Sequence, residues 1–277
     1  ITRFQRWAGV LMEFMRNAEC QIAEGATVYV VGVNDRRVLI PDGQFPVETF
    51  GFGLAQDAIP LGVLDGIPVV AVSRSVESSD QIEEPGWLGL RDMLQLGDNA
   101  VIEASILAIQ RLEFRDSTRF CSRCASAMEQ LSDTGRKCSG CGHVMYPLVT
   151  PAVLVLIEDE DRRTLLAQKD GWGNRFSVIA GFVEPGESLE QCCVREALEE
   201  VGVTVSDVRY VGSQPWPFPH QLMVAFRVRW VSGDIKRDEV ELADARWFSS
   251  DALPELPPPI ALSRTLIQHW IDNPSYP

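Results

Sequence analysis

The chain has little positive charge and no long hydrophobic run. It holds 25 Lys and Arg residues against 39 Asp and Glu residues, a formal net charge of -14 among 277 residues. Such a surface repels the nucleic-acid backbone, so extended non-specific RNA or DNA binding is not expected. No apolar run reaches the roughly 20 residues that cross a bilayer, so a membrane protein is not expected either.

The most informative segment is residues 181–203, GFVEPGESLEQCCVREALEEVGV. Ser188 and Gln191 form a capping-box pair, which predicts a helix that begins at Leu189. Gly202 is placed to end that helix in a left-handed conformation. The apolar residues that recur every four positions predict a core-facing stripe. This stripe comprises Leu189, Cys193, Ala197 and Val201.

The same helix carries a cluster of carboxylates. Glu196 lies three residues before Glu199 and four before Glu200, so the three side chains are expected to project together. Such a cluster repels itself, but its hard oxygen ligands suit Mg²⁺ or Mn²⁺. Arg195 is the natural partner of Glu187. The alternative is a solvated acidic face, which the fixed spacing of the glycines and of this Arg–Glu pair argues against.

The spacing Gly-x5-Glu-x7-Arg-Glu-U-x-Glu-Glu-x-Gly-U, with U apolar, is filled at every position. It resembles the Nudix box, the signature of hydrolases that break pyrophosphate bonds with divalent metals. The resemblance implies that Glu196 and Glu200 are direct Mg²⁺ or Mn²⁺ ligands and that Glu199 completes the cluster. It further implies metal ligation by the Ala180 carbonyl and by Glu241. Either Glu199 or Glu241 is expected to act as the general base.

A proline-rich segment, SQPWPFP, follows at residues 213–219. Its prolines stiffen the chain, Trp216 and Phe218 offer flat faces for a base, and Gln214 offers an amide. The alternative is a turn that buries two aromatic rings. Beside a complete Nudix box, the segment resembles the signature of NADH pyrophosphatases, in which Gln221 is usually Ser. The resemblance implies the following substrate contacts: Gln214, Pro215, Trp216, Pro217, Phe218, Pro219, His220 and Gln221, together with Tyr146, Phe182, Ser263 and Arg91.

Four cysteines have the spacing of a zinc ribbon. They are Cys121, Cys124, Cys138 and Cys141. Four thiolates complete a tetrahedral Zn²⁺ site and predict one structural zinc per subunit. Disulfides are the alternative, but nothing else indicates secretion, and Cys193 falls on the apolar stripe. We therefore expect a reducing, cytoplasmic compartment. A ribbon ahead of the Nudix domain again resembles NADH pyrophosphatases, which implies a homodimer.

The predicted fold class is mixed α+β and α/β. We expect a small α+β domain at residues 1–96, a helix and zinc ribbon at 97–146, and an α/β/α Nudix sandwich at 147–277. Residues 1–24 are expected to form a helix or an irregular arm, and residues 75–85 a linker or loop. In the last domain, strands are expected over Pro151–Glu158, Thr164–Lys169 and Phe176–Ala180, and a terminal helix over Ile260–Asp272.

The predicted activity is hydrolysis of NAD(H)-type dinucleotides to AMP and a nicotinamide mononucleotide. One alternative is removal of the NAD cap from RNA 5′ ends by the same chemistry. A second alternative is a non-catalytic, nucleotide-sensing zinc-ribbon module. The intact set of box glutamates favours an enzyme over the sensor.

Overall fold

The computed structural model describes residues 14–16, 21–34, 37–55, 57–74, 86–96, 98–132 and 135–274. The chain forms two compact units, Ile1–Leu148 and Val149–Pro277. No helix in these described ranges is both long and apolar enough to cross a membrane.

The first unit contains a sheet whose strands have the order β1-β5-β6-β2-β3-β7, with β4 paired to β2. Strands β2 and β6 are parallel and the other pairs are antiparallel. The strands are β1 (Phe14–Arg16), β2 (Thr27–Asn34), β3 (Arg37–Leu39), β4 (Val47–Thr49), β5 (Ile59–Leu64), β6 (Ile67–Ser73) and β7 (Trp87–Gly89). The helices are α1 (Phe52–Ala55), α2 (Leu90–Met93) and α3 (Asn99–Ser117), and a 3₁₀ turn spans Pro41–Gly43.

Helix α3 packs on this sheet, against β2, β5 and β6. The Asp98 side chain caps it by accepting hydrogen bonds from the amides of Ala100 and Val101. Arg111 and Arg115 of the helix donate to the carbonyls of Pro60 and Asp57. The cysteine-rich segment follows with a three-stranded antiparallel sheet of β8 (Met128–Ser132), β9 (Gly135–Cys138) and β10 (Val144–Met145).

The second unit is built on a sheet with the order β14-β15-β11-β12-β16, and β13 pairs with β11. Strands β11 and β15 are parallel. The elements are β11 (Thr150–Glu158), β12 (Thr164–Gln168), β13 (Ile179–Phe182), α4 (Leu189–Val201), β14 (Thr204–Trp216), β15 (Gln221–Ser232), β16 (Asp244–Phe248) and α5 (Leu262–Asp272).

Both faces of the central strand β11 are covered, which explains its unbroken apolar sequence. Val153, Val155 and Ile157 pack in one cluster with Cys193 and Ala197 of α4. The alternate residues of β11 are buried as well, and α5 packs against β11. The resulting helix–sheet–helix arrangement confirms the predicted fold class of the C-terminal region.

The structure corrects some sequence predictions at their edges. Phe14–Arg16 is a strand paired with β5, not part of a helix or irregular arm, because its backbone completes the edge of the first sheet. The strand expected over Phe176–Ala180 instead spans Ile179–Phe182, so the Nudix box begins inside a strand. The linker expected at 75–85 lies outside the described residues. The three-domain boundaries stay a prediction.

Helix α4 ends as its sequence predicts. Gly202 adopts φ 73°, and its amide donates to the carbonyls of Ala197 and Leu198. A Cβ at this position would lie 2.9 Å from the Cβ of Lys236. Gly202 is therefore required both by the left-handed backbone and by the close approach of a neighbouring loop.

Gly202→Ala is expected to lower the free energy of unfolding by about 1–2 kcal/mol from backbone strain, and further from the clash with Lys236. Gly171→Ala is the matched control, because Gly171 has φ 78° and open space around its Cβ position. Urea unfolding of both variants measures the difference. An equal loss in the two variants would contradict the steric contribution.

Candidate active site

The first glycine of the box lies against the carboxylate of Glu196. A Cβ on Gly181 would lie 1.8 Å from Cδ of Glu196, a distance at which the two groups cannot coexist. Gly181 is in β13 and Glu196 is on α4, which packs on that strand. The spacing between the glycine and the glutamate in the box therefore has a steric origin, because the strand must leave room for the carboxylate.

Arg195 ties the loop before α4 to the helix itself. Its Nε and Nη2 donate to the two Glu187 carboxylate oxygens at 2.8 and 2.9 Å. Nη2 also donates to the Phe182 carbonyl at 2.9 Å. Nη1 donates to Glu196 at 2.8 Å and to Glu199 at 2.9 Å. These five bonds to oxygen match the five N–H groups of a guanidinium, and Nη2 also lies 3.4 Å from the Cys192 sulfur.

The ion pair with Arg195 lowers the pKa of Glu187 to about 2, so Glu187 is charged throughout the neutral range. The amide of Glu184 also donates a hydrogen bond to the Glu187 carboxylate, which stabilises the loop that precedes α4. The pairing of Arg195 with Glu187 that the sequence predicts is present in the structure.

Glu200 is the most buried carboxylate of the cluster, with 3% of the residue exposed. Neither of its oxygens has a hydrogen-bond partner, and the ammonium of Lys169 lies 3.6 Å from Oε1. Burial raises the pKa of Glu200 to about 7, attraction to Lys169 opposes this, and repulsion by Glu196 and Glu241 adds to it. Burial also raises the pKa of Glu196, which is 8% exposed.

The three glutamates are thus not equivalent. Glu199 remains exposed and forms an ion pair with Arg195, whereas Glu196 and Glu200 are buried. Buried carboxylates are inconsistent with a solvated acidic helix face.

Residues 233–243 bring a further carboxylate to the cluster. The amides of Lys236 and Asp238 donate to the carbonyls of Val201 and Glu200 at the end of α4. Arg237 donates to the carbonyls of Leu242 and Ala243. Glu241 lies on this loop close enough to repel Glu196 and Glu200, whereas Glu239 is paired with Arg237. Repulsion by Glu241 therefore contributes to the raised pKa values of Glu196 and Glu200, and its role as a metal ligand stays a prediction.

The SQPWPFP segment ends β14 and turns into β15. The rings of Trp216 and Phe218 lie 5.0 Å apart at 46°, and Trp216 pairs with Gln221 across the turn. Pro217 is buried and Pro215 is exposed. The carbonyl of His220 accepts a hydrogen bond from Thr150 at the start of β11. The turn is therefore fixed to the central sheet at its base.

Gln214 has a different environment from the one that its sequence context predicts. It is 6% exposed, its Nε2 donates to the Ile260 carbonyl, and its Oε1 accepts from the Leu262 amide. Ala261, the N-cap of α5, provides no side-chain hydrogen bond to the first turn of the helix. Gln214 of β14 provides one instead. Ser263, in the same first turn, is also buried.

The four ribbon cysteines converge on one point. Their sulfur atoms lie within 4.8 Å of one another, with Cys121 and Cys141 at 3.7 Å and Cys124 and Cys138 at 3.4 Å. Tetrahedral zinc with Zn–S bonds of about 2.3 Å requires sulfur separations of about 3.8 Å. All four thiols are free, and their separations exceed disulfide length. The donor set and its geometry fit structural zinc.

Comparisons with known proteins identify the family. A model described as NUDIX domain matches residues 148–270, and one described as NADH pyrophosphatase zinc ribbon domain matches residues 116–146. A curated protein of Pseudomonas syringae pv. tomato, named NAD-capped RNA hydrolase NudC, is 33% identical over 98% of this chain and 95% of its own. The chain belongs to the Nudix hydrolase family.

Two further similar proteins cover less of this chain. A protein of Chromobacterium violaceum with the same name is 46% identical over 68% of this chain and 71% of its own. A solved NUDIX hydrolase from Nitrosomonas europaea covers 57% of this chain and 93% of its own, with 22% identity and a TM-score of 0.47. The matched ranges include both the predicted ribbon and the box, which confirms the recognition made from the sequence.

The box residues of this Nudix hydrolase fit a divalent cation. Two buried carboxylate oxygens of Glu200 lack hydrogen bonds, and the adjacent Glu196 and Glu241 add negative charge. Hard oxygen donors of this kind are those that Mg²⁺ and Mn²⁺ prefer. Because the pKa of Glu200 is raised to about 7, protons compete with a cation for this carboxylate below about pH 7. Ala180 lies on β13 beside α4, and its role as a carbonyl ligand stays a prediction.

The remaining predicted substrate residues stay predictions. Phe182 and Tyr146 are exposed, with 50% and 61% of each residue accessible, and Arg91 is exposed on α2. Sequence reasoning missed Lys169, which carries no motif and is recognisable only from its distance to Glu200. It also missed Cys192, whose thiol donates to the Phe182 carbonyl beside Arg195.

Gly181→Ala is expected to destabilise the protein by about 1–3 kcal/mol, because the new methyl group overlaps the Glu196 carboxylate. In a Glu196→Ala background the same substitution is expected to cost much less, since the overlapping atoms are gone. Urea unfolding of the four proteins measures this coupling. An equal cost in both backgrounds would show that the contact does not explain the glycine.

Metal analysis of the purified protein is expected to find about one zinc per chain, held by the four ribbon thiolates. Cys138→Ser should release the zinc and remove the amide exchange protection of β8 and β9. The reason is that the metal joins the Cys121–Cys124 pair to the Cys138–Cys141 pair. Cys193→Ser is the control, because this buried thiol lies in α4 outside the cluster. Unchanged protection of the ribbon strands after zinc loss would contradict a structural role.

Proposed function

We propose that this Nudix hydrolase breaks the pyrophosphate bond of NAD(H)-type dinucleotides. The observation that carries the proposal is the pair of buried carboxylates on α4, Glu196 and Glu200, beside the exposed Glu241. Burying such a cluster is costly unless a cation offsets its charge. The SQPWPFP turn in the same unit supports a nicotinamide dinucleotide as the substrate.

In the proposed reaction, the oxygen of a water forms a bond to one phosphorus, and the bridging P–O bond breaks. The bridging oxygen leaves with the other phosphate, and the two products are AMP and a nicotinamide mononucleotide. A divalent cation, when bound, supplies charge neutralisation for the pyrophosphate and acidifies the attacking water. Glu196, Glu200 and Glu241, with the Ala180 carbonyl, would hold it.

The other box residues have supporting tasks in this proposal. Arg195 keeps the Glu187 loop, Glu196 and Glu199 in fixed positions through its hydrogen bonds. Glu199 or Glu241, which are both exposed, accepts the proton that the water loses. Trp216 and Phe218 would bind the nicotinamide or adenine by stacking. Gln214 would act by fixing the start of α5 rather than by its own amide contact.

A second candidate substrate is the NAD cap of RNA 5′ ends. The relatives named NAD-capped RNA hydrolase NudC support it. The bond broken and the residues used are the same. With a formal net charge of -14, the protein is expected to recognise the cap itself rather than a long stretch of RNA. A non-catalytic nucleotide sensor is disfavoured because all the box glutamates are present.

The assembly and the compartment stay predictions. We propose a homodimer, which sedimentation measurements test directly. A reducing, cytoplasmic compartment is supported by the free state of Cys121, Cys124, Cys138, Cys141, Cys192 and Cys193.

Glu200→Gln is expected to lower the rate of AMP release from NADH by at least about 100-fold with Mg²⁺ or Mn²⁺. The change removes a metal-binding charge but preserves shape, so thermal stability without divalent metal should not fall. Glu190→Gln is the matched control, because Glu190 is exposed on the same helix. Full turnover by Glu200→Gln would mean that the metal assignment is wrong.

Product analysis separates the two candidate substrates. The wild-type protein should release AMP from NADH, and a 5′-monophosphate RNA from NAD-capped RNA, with similar dependence on Mg²⁺ or Mn²⁺. If the cap is the recognised group, shortening the RNA should change the rate little. A zinc-replete, folded protein that cleaves neither substrate would overturn the proposed function.

A further inference from the structure

The carboxylate cluster has two basic neighbours with very different hydrogen bonding. Arg195 uses all five of its N–H groups on Glu187, Glu196, Glu199 and the Phe182 carbonyl. It therefore has no donor left for a ligand unless one of these bonds breaks. Arg237, on the adjoining loop, donates from Nη1 to the carbonyls of Leu242 and Ala243 and is paired with Glu239.

Lys169 is the cation paired with Glu200, and its ammonium has unused donors. Its ammonium lies 3.6 Å from Oε1 of Glu200, beyond normal hydrogen-bond length, and its side chain is 38% exposed. Within the described part of the chain, this ion pair is the contact that the structure gives the ammonium. A lysine ammonium has three N–H donors, so Lys169 can bind further oxygens while staying beside Glu200.

The backbone around Lys169 is fixed. Lys169 directly follows β12, and the carbonyl of Gln168 accepts a hydrogen bond from the Ala243 amide. The Lys169 carbonyl itself accepts from Trp172, which closes a turn. The ammonium therefore lies beside the carboxylate cluster at the end of a hydrogen-bonded strand. Such a strand positions a substrate-contacting group more precisely than a loop does.

We propose that Lys169 is a further substrate-binding residue, whose ammonium binds a non-bridging oxygen of the pyrophosphate beside Glu200. An isolated ammonium is a common phosphate ligand and acts there as a point charge. A divalent cation held by the glutamates would repel the ammonium from Glu200, and a substrate phosphate would give Lys169 a new negative partner. This inference rests on the proposed function for the identity of the substrate, but not for its phosphate chemistry.

Lys169→Met should lower catalysis without lowering metal affinity. We expect kcat/KM for NADH to fall roughly 10- to 100-fold, the effect of losing a hydrogen bond to a charged group. The affinity of the free protein for Mn²⁺, measured by calorimetry, should stay the same or rise because a repelling cation has been removed. Lys169→Arg should recover much of the turnover because it restores the charge.

Inorganic pyrophosphate tests the contact without any nucleoside. Its binding to the Mn²⁺-loaded protein should weaken roughly tenfold in Lys169→Met. Arg246→Met is the control, because Arg246 is an exposed cation of the same unit, is paired with Asp244 on β16, and should leave all these quantities unchanged. The pyrophosphate measurement remains informative even if NADH is not the substrate, so the two proposals fail separately.

Two results would overturn the proposal. One is pyrophosphate binding and turnover within twofold of the wild type in Lys169→Met. The other is a loss of Mn²⁺ affinity parallel to the loss of turnover, which would show that Lys169 only holds the Glu200 carboxylate in place. Thermal unfolding of each variant verifies that the fold is retained.

Discussion

The second unit is organised around the burial of two carboxylates on one helix. The Glu196 carboxylate occupies the space that a Cβ on Gly181 would take, and the Glu200 carbonyl accepts a hydrogen bond from Asp238 of the loop that carries Glu241. Burying negative charge at adjacent positions is unfavourable, as the raised pKa of Glu200 shows. The surrounding structure holds them in place, because α4 is anchored by its capping box, by Gly202 and by an apolar stripe in the core. A bound divalent cation would convert this unfavourable arrangement into a favourable one.

The charges around the cluster separate structural from reactive groups. Arg195 is saturated, and the pKa of its partner Glu187 is lowered to about 2, so this pair acts as a fixed support. Lys169 and Glu200 are the opposite case, because both carry unused donors or acceptors. In the proposed mechanism, the box would provide the metal-binding carboxylates and their scaffold. Lys169, which follows β12, and the SQPWPFP turn would contact the rest of the substrate.

Much of this architecture could be predicted from residues close in sequence. The capping box at Ser188, the C-cap at Gly202 and the four-cysteine cluster depend on local spacing, and the structure has all three. Contacts between distant segments could not be predicted in this way. The approach of Lys169 to Glu200 depends on the pairing of β12 in the sheet, and the Gln214 bonds to Ile260 and Leu262 span more than 40 residues. The position of Gln214 beside an aromatic motif therefore predicts a substrate contact, although its side chain bonds the backbone at the start of α5.

The most direct test of this account is to locate the bound metal. Crystals of the protein soaked in Mn²⁺ should give an anomalous difference peak at the manganese edge between the carboxylates of Glu196 and Glu200, near Glu241. A separate zinc peak should lie among the four ribbon sulfurs. A zinc peak in the ribbon with no manganese at Glu196 and Glu200, at millimolar Mn²⁺ and pH 8, would contradict the claim that the buried carboxylates form a divalent-metal site.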